Sequence, residues 1–211
     1  MKPTPLPRFV PLERTTALSD AVFAVVMTLL VLGIEVPEGG TLVGPELAPV
    51  RERLGHQVLV YFVSFWIVAM YWSQQGLLFS SLKRMDGALF TLNLAFLAPV
   101  TLLPVVTQLM GATHANWDVV AVFALTNLFA AFALGRMWRH AVATPDLCEG
   151  ERTASLEKRV RFGLRVFATA LPAGVLLALI DVRIGILCFV LTPVGHFYNY
   201  IRGSLRGQPP S

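Results

Sequence analysis

Few side chains in this 211-residue chain are of a type that does chemistry, and Asp20 is the most informative of them. It lies in Arg14-Thr-Thr-Ala-Leu18-Ser19-Asp20-Ala-Val-Phe-Ala24-Val25, where a long apolar run begins. A carboxylate beside hydrocarbon must be paired, hydrogen-bonded or hydrated, because an isolated one costs several kcal/mol there. Thr28, two turns on, carries a hydroxyl oxygen with two acceptor lone pairs. His196 sits near Tyr198 and Asn199. Its plain reading is a buried, hydrogen-bonded ring, and its functional one a proton relay. Catalytic patterns are missing: the sequence has no G-x-S-x-G, no H-E-x-x-H, no G-x-x-x-x-G-K-[ST] and no dinucleotide glycine signature. An intramembrane enzyme would have to rest on Asp20 with His196, two residues far apart in sequence. Cys148 and Cys188 form no C-x-x-C and have no histidine at a ligand spacing, so neither a metal site nor a structural disulfide is expected. The chain reads as a non-enzyme without a cofactor.

The elements that must position these residues follow from composition. Apolar residues make up 55% of the chain and charged ones 14%, against about 45–50% and about 25% in soluble domains. With a mean hydropathy of +0.64, much of the surface must face lipid, which excludes a soluble enzyme and a disordered chain. On a soluble protein the net charge of +4 and pI near 9.4 would suggest nucleic acid. In a membrane chain the placement of the charges matters more, and the partner is the bilayer.

Crossing a hydrocarbon core of about 30 Å takes about 20 helical residues. Suitable stretches run from Thr16 to Val36, Gln57 to Phe79, Gly87 to Met110, Trp117 to Trp138, Val160 to Ile180 and Ile184 to Ile201. The expected fold is all-α, a polytopic unit of six transmembrane helices spanning 1–211, with no soluble domain and no repeat of its first helix. The N-terminal stretch Met1 to Arg14 is basic and precedes an apolar run, but no small-x-small cleavage pattern follows, so the run is read as a retained helix. With the N-terminus inside, only Arg51, Arg53 and Arg183 of the 17 Lys and Arg fall outside, which places both termini in the cytoplasm. The outer loop from Glu35 to Glu52 is acidic and rich in Gly and Pro; it is either a plain solvated loop or a means of concentrating cations at an outer mouth. A linker from His140 to Arg159 separates four helices from the last two.

At 100° per residue, Asp20 lies about 140° from Val25 and Ser19 about 120° to the other side, so both occupy the rear of the first helix. Val25, Leu29, Leu32 and Val36 share an arc of about 60°, with Thr28 at its border. Such apolar spacing commonly marks helix packing or a lipid face, and pore lining is the alternative.

The segment R-x-x-x-L-S-D-x-x-x-A-V, followed by Thr28-Leu29-Leu30-Val31-Leu32-Gly33-Ile34, resembles the signature of the endolysosomal potassium channels (transmembrane protein 175) and their prokaryotic relatives, R-x-x-x-F-S-D-x-x-x-A-I. Leu18 replaces Phe and Val25 replaces Ile. Tyr71-Trp72-Ser73-Gln74-Gln75, Asp86, Leu92-Asn93-Leu94 and Leu102-Leu103-Pro104 follow that family's second and third helices, with glutamines where two histidines often stand. The likeness runs from Arg14 to Met110, while the last three spans agree in number and length only. It implies a homotetramer around an axis lined by the first helices. The pore would be constricted and gated by Val25, Leu29 and Leu32, with a Thr28 ring governing ion selectivity. Arg14, Ser19 and Asp20 would form a packing network behind it, and the permeant ions would be potassium in preference to sodium. A cell-membrane location follows for a short prokaryotic chain of this kind.

The T-V-G-Y-G loop of familiar potassium filters does not occur. An aliphatic ring offers an ion no replacement ligands; narrow, it blocks by dewetting, and wider, it passes partly hydrated ions. Two other classes remain: a small secondary carrier with a polar midplane site in each subunit, and the intramembrane enzyme above. Trp66, Tyr71, Trp72, Trp117 and Trp138 are expected at helix ends or bundle faces as an aromatic belt. His56, His114 and His140 are expected at the interface with water, and Pro99, Pro104, Pro172 and Pro193 as sources of kinks. Lys158-Arg159-Val160-Arg161 reads as a topology anchor near anionic headgroups.

Overall fold

A computed structural model describes residues 9–35, 47–113, 116–144 and 146–148. The first helix, α1 (Leu12–Leu29), continues as a 3-10 turn over Leu30–Gly33. It is followed by α2 (Leu47–Ser80), α3 (Gly87–Ala112) and α4 (Trp117–Ala143). A two-residue strand β1 (Phe9–Val10) precedes α1 and pairs antiparallel with β2 (Met85–Asp86) before α3. The expected fifth and sixth spans, together with His114, Pro172, Cys188 and His196, lie outside the described residues.

Several helix ends differ from their expected bounds for identifiable reasons. Charged Arg51, Glu52 and Arg53 end the apolar stretch of α2 but not the helix, which begins ten residues before Gln57. Pro49 is tolerated there because first-turn amides have no helical acceptor. At 34 residues α2 is about 51 Å long, more than the hydrocarbon needs. The outer loop is correspondingly shorter than Glu35 to Glu52. Likewise α4 runs past Trp138 to Ala143, where Thr144 turns extended ahead of Pro145.

The first helix stops before Val36. Ile34 is extended (φ −91°, ψ 106°), and the Glu35 amide donates to Gln57 Oε1 at 3.2 Å instead of to a helical carbonyl. Gly33 backs onto α3, where an added Cβ would lie 3.5 Å from the Gln108 Cα. Arg53 and Glu35 form an exposed ion pair at this end, an arrangement worth little by itself.

Helix α3 is the centre of the bundle, packing against α1, its 3-10 extension, α2 and α4. It starts at Asp86, whose Oδ1 caps it by accepting the Leu89 amide at 2.8 Å. It stays helical through Pro99 and Pro104. Phe96, fully buried, meets Phe23 of α1 at 6.0 Å and Tyr71 of α2 edge-on at 5.7 Å, a geometry that adds to simple area burial. Tyr71 and Trp138 are buried core residues and not part of an aromatic belt. The Tyr71 hydroxyl donates to the Asn127 carbonyl at 2.8 Å, tying α2 to α4. Between α2 and α3, Thr107 Oγ1 donates to Ser64 Oγ at 2.8 Å. Nor are His56 and His140 simply solvated: both are partly buried, His56 Nε2 lying 3.2 Å from the Met110 carbonyl and His140 Nε2 2.8 Å from Asp86 Oδ2. Cys148 is buried and free, and burial pushes its thiol pKa up against a hydrogen bond from Ser81 that lowers it.

Candidate functional site: the two faces of the first helix

The sequence of α1 separates two stripes. Thr15, Ser19, Phe23, Val26 and Leu30 recur every three or four residues and are buried, the spacing of a helix face turned to its neighbours. The other side carries Leu18, Val25, Leu29 and Leu32, which are 44, 55, 42 and 69% exposed within the single chain. Of the span that includes α1 only 22% is buried, against 39, 39 and 44% for the other three. Among the described residues nothing covers this apolar surface on the helix nearest the N-terminus.

Val25 and Leu29 keep α-helical spacing, but Leu32 lies in the 3-10 turn. Residues three apart in such a turn nearly eclipse and rise about 2 Å each. Leu32 therefore lies more nearly above Leu29, and further from it, than a uniform 100° count gives; Val36 lies outside the described residues. Thr28 is exposed and its hydroxyl donates to the Val25 carbonyl at 2.8 Å. That bond uses the hydroxyl proton and leaves the oxygen lone pairs available to a cation or to water.

Behind the open stripe, Ser19 anchors a three-helix polar cluster. Its hydroxyl donates to the Thr15 carbonyl at 2.9 Å and accepts from Gln75 Nε2 at 3.2 Å and from Asn93 Nδ2 at 3.1 Å. Gln75 Nε2 also donates to Asn93 Oδ1. Ser19 Oγ thus uses its one proton and both lone pairs, and all three side chains are buried. Asp20, the next residue, points elsewhere: it is exposed, and its Oδ1 accepts the Trp72 indole N–H at 2.8 Å.

Of the residues singled out in the sequence, Val25, Thr28, Leu29 and Leu32 lie together on the open side. Ser19 and Asp20 are separated, each bound to a different residue of α2. Arg14 is exposed in the first turn and makes no hydrogen bond or ion pair with either of them among the described residues. The sequence places Trp72 in the aromatic belt and Gln75 and Asn93 in segments like those of the family, and assigns none of the three a partner. Their one signal was polarity inside an apolar span, where an amide must find a partner within the protein.

Four membrane-length apolar helices among the described residues, with polar groups paired between them, define an all-helical, multi-pass membrane protein. The chain matches the family described as the endosomal/lysosomal potassium channel TMEM175 over residues 14–104. It is 32% identical over 170 residues to a potassium channel of Streptomyces collinus, covering 76% of this chain and 80% of that one. A potassium channel of Chamaesiphon minutus is 30% identical over 185 residues, with 84 and 90% covered. The crystal structure of a lysosomal potassium-selective channel TMEM175 homolog from Chamaesiphon minutus superimposes with a TM-score of 0.72 at 28% identity, covering 90% of this chain and 97% of that one. The protein belongs to the TMEM175 family.

Proposed function

We propose that this protein is the subunit of a potassium-selective cation channel of the cell membrane, in which four copies place α1 and its 3-10 turn around a common axis. The observation that carries the reading is the open apolar ladder of Val25, Leu29 and Leu32 on the least buried of the four described spans. The potassium-channel names of its relatives agree with it. Four copies of the ladder form a neck that supplies no ligands to an ion, and a full hydration shell must be partly shed to pass it. Potassium sheds water more readily than sodium, so such a neck favours it weakly. Thr28 Oγ1, with its proton committed to Val25, presents acceptor oxygen beside the neck and sharpens the preference. Val25, one methylene smaller than isoleucine, makes the inner ring wider. With the basic ends of the spans inside, both termini are cytoplasmic.

A carrier would need convergent polar groups with spare valences inside one subunit. The Ser19, Gln75 and Asn93 cluster instead saturates its own hydroxyl. Potassium and sodium flux into proteoliposomes tests the channel reading. Thr28→Val keeps the shape of the side chain and removes the oxygen; we expect flux to persist and the potassium to sodium ratio to fall several-fold. An unchanged ratio removes Thr28 from the selectivity mechanism.

Asp20 and Trp72 are both exposed on the single chain while bonded to each other, and in the proposed tetramer the pair lies where subunits meet. Asp20→Ala is expected to lower the tetramer fraction in detergent, measured by mass, and to leave the ion preference of the remaining tetramers unchanged. Intact assembly with an altered preference would move Asp20 into the conduction path.

A further inference from the structure

The chain that leads into α1 is held by a contact that ion permeation itself does not use. Phe9 pairs with Asp86 and Val10 with Met85, and α1 begins at Leu12. Both carboxylate oxygens of Asp86 are engaged, Oδ1 by the Leu89 amide and Oδ2 by His140 Nε2, each at 2.8 Å. The same link between α2 and α3 also grips the segment after α4: the Lys83 amide donates to the Leu147 carbonyl at 2.8 Å, and Leu82 forms an antiparallel bridge with Cys148. One short stretch thus joins the entry to α1, the start of α3 and the end of α4.

We propose that Asp86 and His140 are positioning residues for the pore helix, forming a proton-sensitive clasp that steadies the inner end of α1 and thereby the Val25 ring. The proposal rests on α1 lining the pore. Histidine is the side-chain type whose charge ordinarily changes between pH 5 and 8, and an imidazolium adds direct charge attraction to a hydrogen bond that the carboxylate already makes charge-assisted. Burial raises the Asp86 pKa, but the Leu89 amide, then the His140 hydrogen bond and charge, outweigh it and hold the carboxyl below its ordinary value. Asp86 is therefore the constant anion of the pair. The side chains of His140 and Asp86 are only 30 and 25% exposed, so protons reach them while screening is incomplete.

Other charged or titratable groups on the elements meeting here are Lys83 and Arg84 on the link, Arg136 and Arg139 on α4, Asp146 and Cys148 beyond it, and Glu13 and Arg14 in the first turn of α1. None of these is a histidine. The Cys148 thiol, pushed up by burial, stays neutral over the same range. Protonating His140 tightens the clasp and favours the packed, constricted arrangement of α1; deprotonation loosens it.

The experiment is potassium flux in proteoliposomes with pH varied on one face at a time, for wild type, His140→Gln, Asp86→Asn and Leu29→Ala. Glutamine keeps a hydrogen-bond donor without the charge. Asparagine keeps the Oδ1 cap on Leu89. We expect acidification from pH 8 to 5.5 on the face carrying the clasp to lower wild-type flux by about threefold, within the range of a partly exposed ion pair, and both clasp variants to respond flatly. A flat wild-type response on that face overturns the proposal, as does a response that persists in both variants. If Leu29→Ala raises flux while both clasp variants keep the wild-type response, the clasp fails alone. If Leu29→Ala leaves flux unchanged, the placement of the pore itself fails.

Discussion

Leu29→Ala is expected to raise both potassium and sodium flux by on the order of tenfold, the effect of lowering the barrier by about 1.4 kcal/mol. In the proposed tetramer the change removes an isopropyl group from all four residues of one ring at once. It widens the neck and shortens the dry zone that a partly stripped ion must cross. Both ions benefit, so the ratio between them should move less than either flux. The fold should tolerate the change, because Leu29 is 42% exposed and contributes little to the core of its own subunit. Its neighbour makes the control. Leu30 is 1% exposed and belongs to the buried core with Phe23 and Val26, in the 3-10 turn that packs on α3. Leu30→Ala should therefore destabilise the subunit by about 2–5 kcal/mol, the usual cost of a buried cavity, without the same opening. Proteoliposome flux paired with thermal unfolding in detergent separates the two. A Leu29→Ala channel that conducts like wild type would put the permeation path elsewhere.

Asn93→Leu should be the most damaging single change to the polar cluster. Asn93 has no exposed surface and both ends of its amide are used, one toward Gln75 and the other toward Ser19. Leucine fills similar space but strands a Gln75 N–H and a Ser19 lone pair. Each orphaned buried group costs about 1–3 kcal/mol. Hydrogen bonds between membrane helices average only about 0.6 kcal/mol by double-mutant cycles, because the separated helices find other partners. The two effects together lead us to expect about 2 kcal/mol. Thr91→Ala is the matched control: its exposed hydroxyl donates only to the Gly87 carbonyl of its own helix, and its loss should fall within about 0.5 kcal/mol. If Asn93→Leu unfolds no sooner than Thr91→Ala in a detergent melt, the cluster does not hold α1 in place.

The first four spans were legible in the sequence to within a few residues at most ends, because hydropathy registers the need to pair every backbone group inside lipid. The larger errors fell where that need stops. Arg51, Glu52 and Arg53 close an apolar window, yet their helix continues through them, since helix formation outside the membrane depends on local propensity and capping and not on transfer from water. The early end of α1 was equally hidden: it depends on Gln57, 22 residues downstream, capturing the Glu35 amide.

Composition and charge bias alone determined that this is a membrane protein with several helices, and the Arg14 to Val25 motif pointed to its family, because these properties are carried by residues close together along the chain. Tertiary structure alone decided which polar side chains meet. Ser19 and Asp20 are adjacent in sequence, yet one is sealed against Gln75 and Asn93 while the other reaches Trp72. Successive helical residues point about 100° apart, so neighbours in the chain face different neighbours in space. Their partners come from helices more than fifty residues away, and no local pattern encodes that pairing.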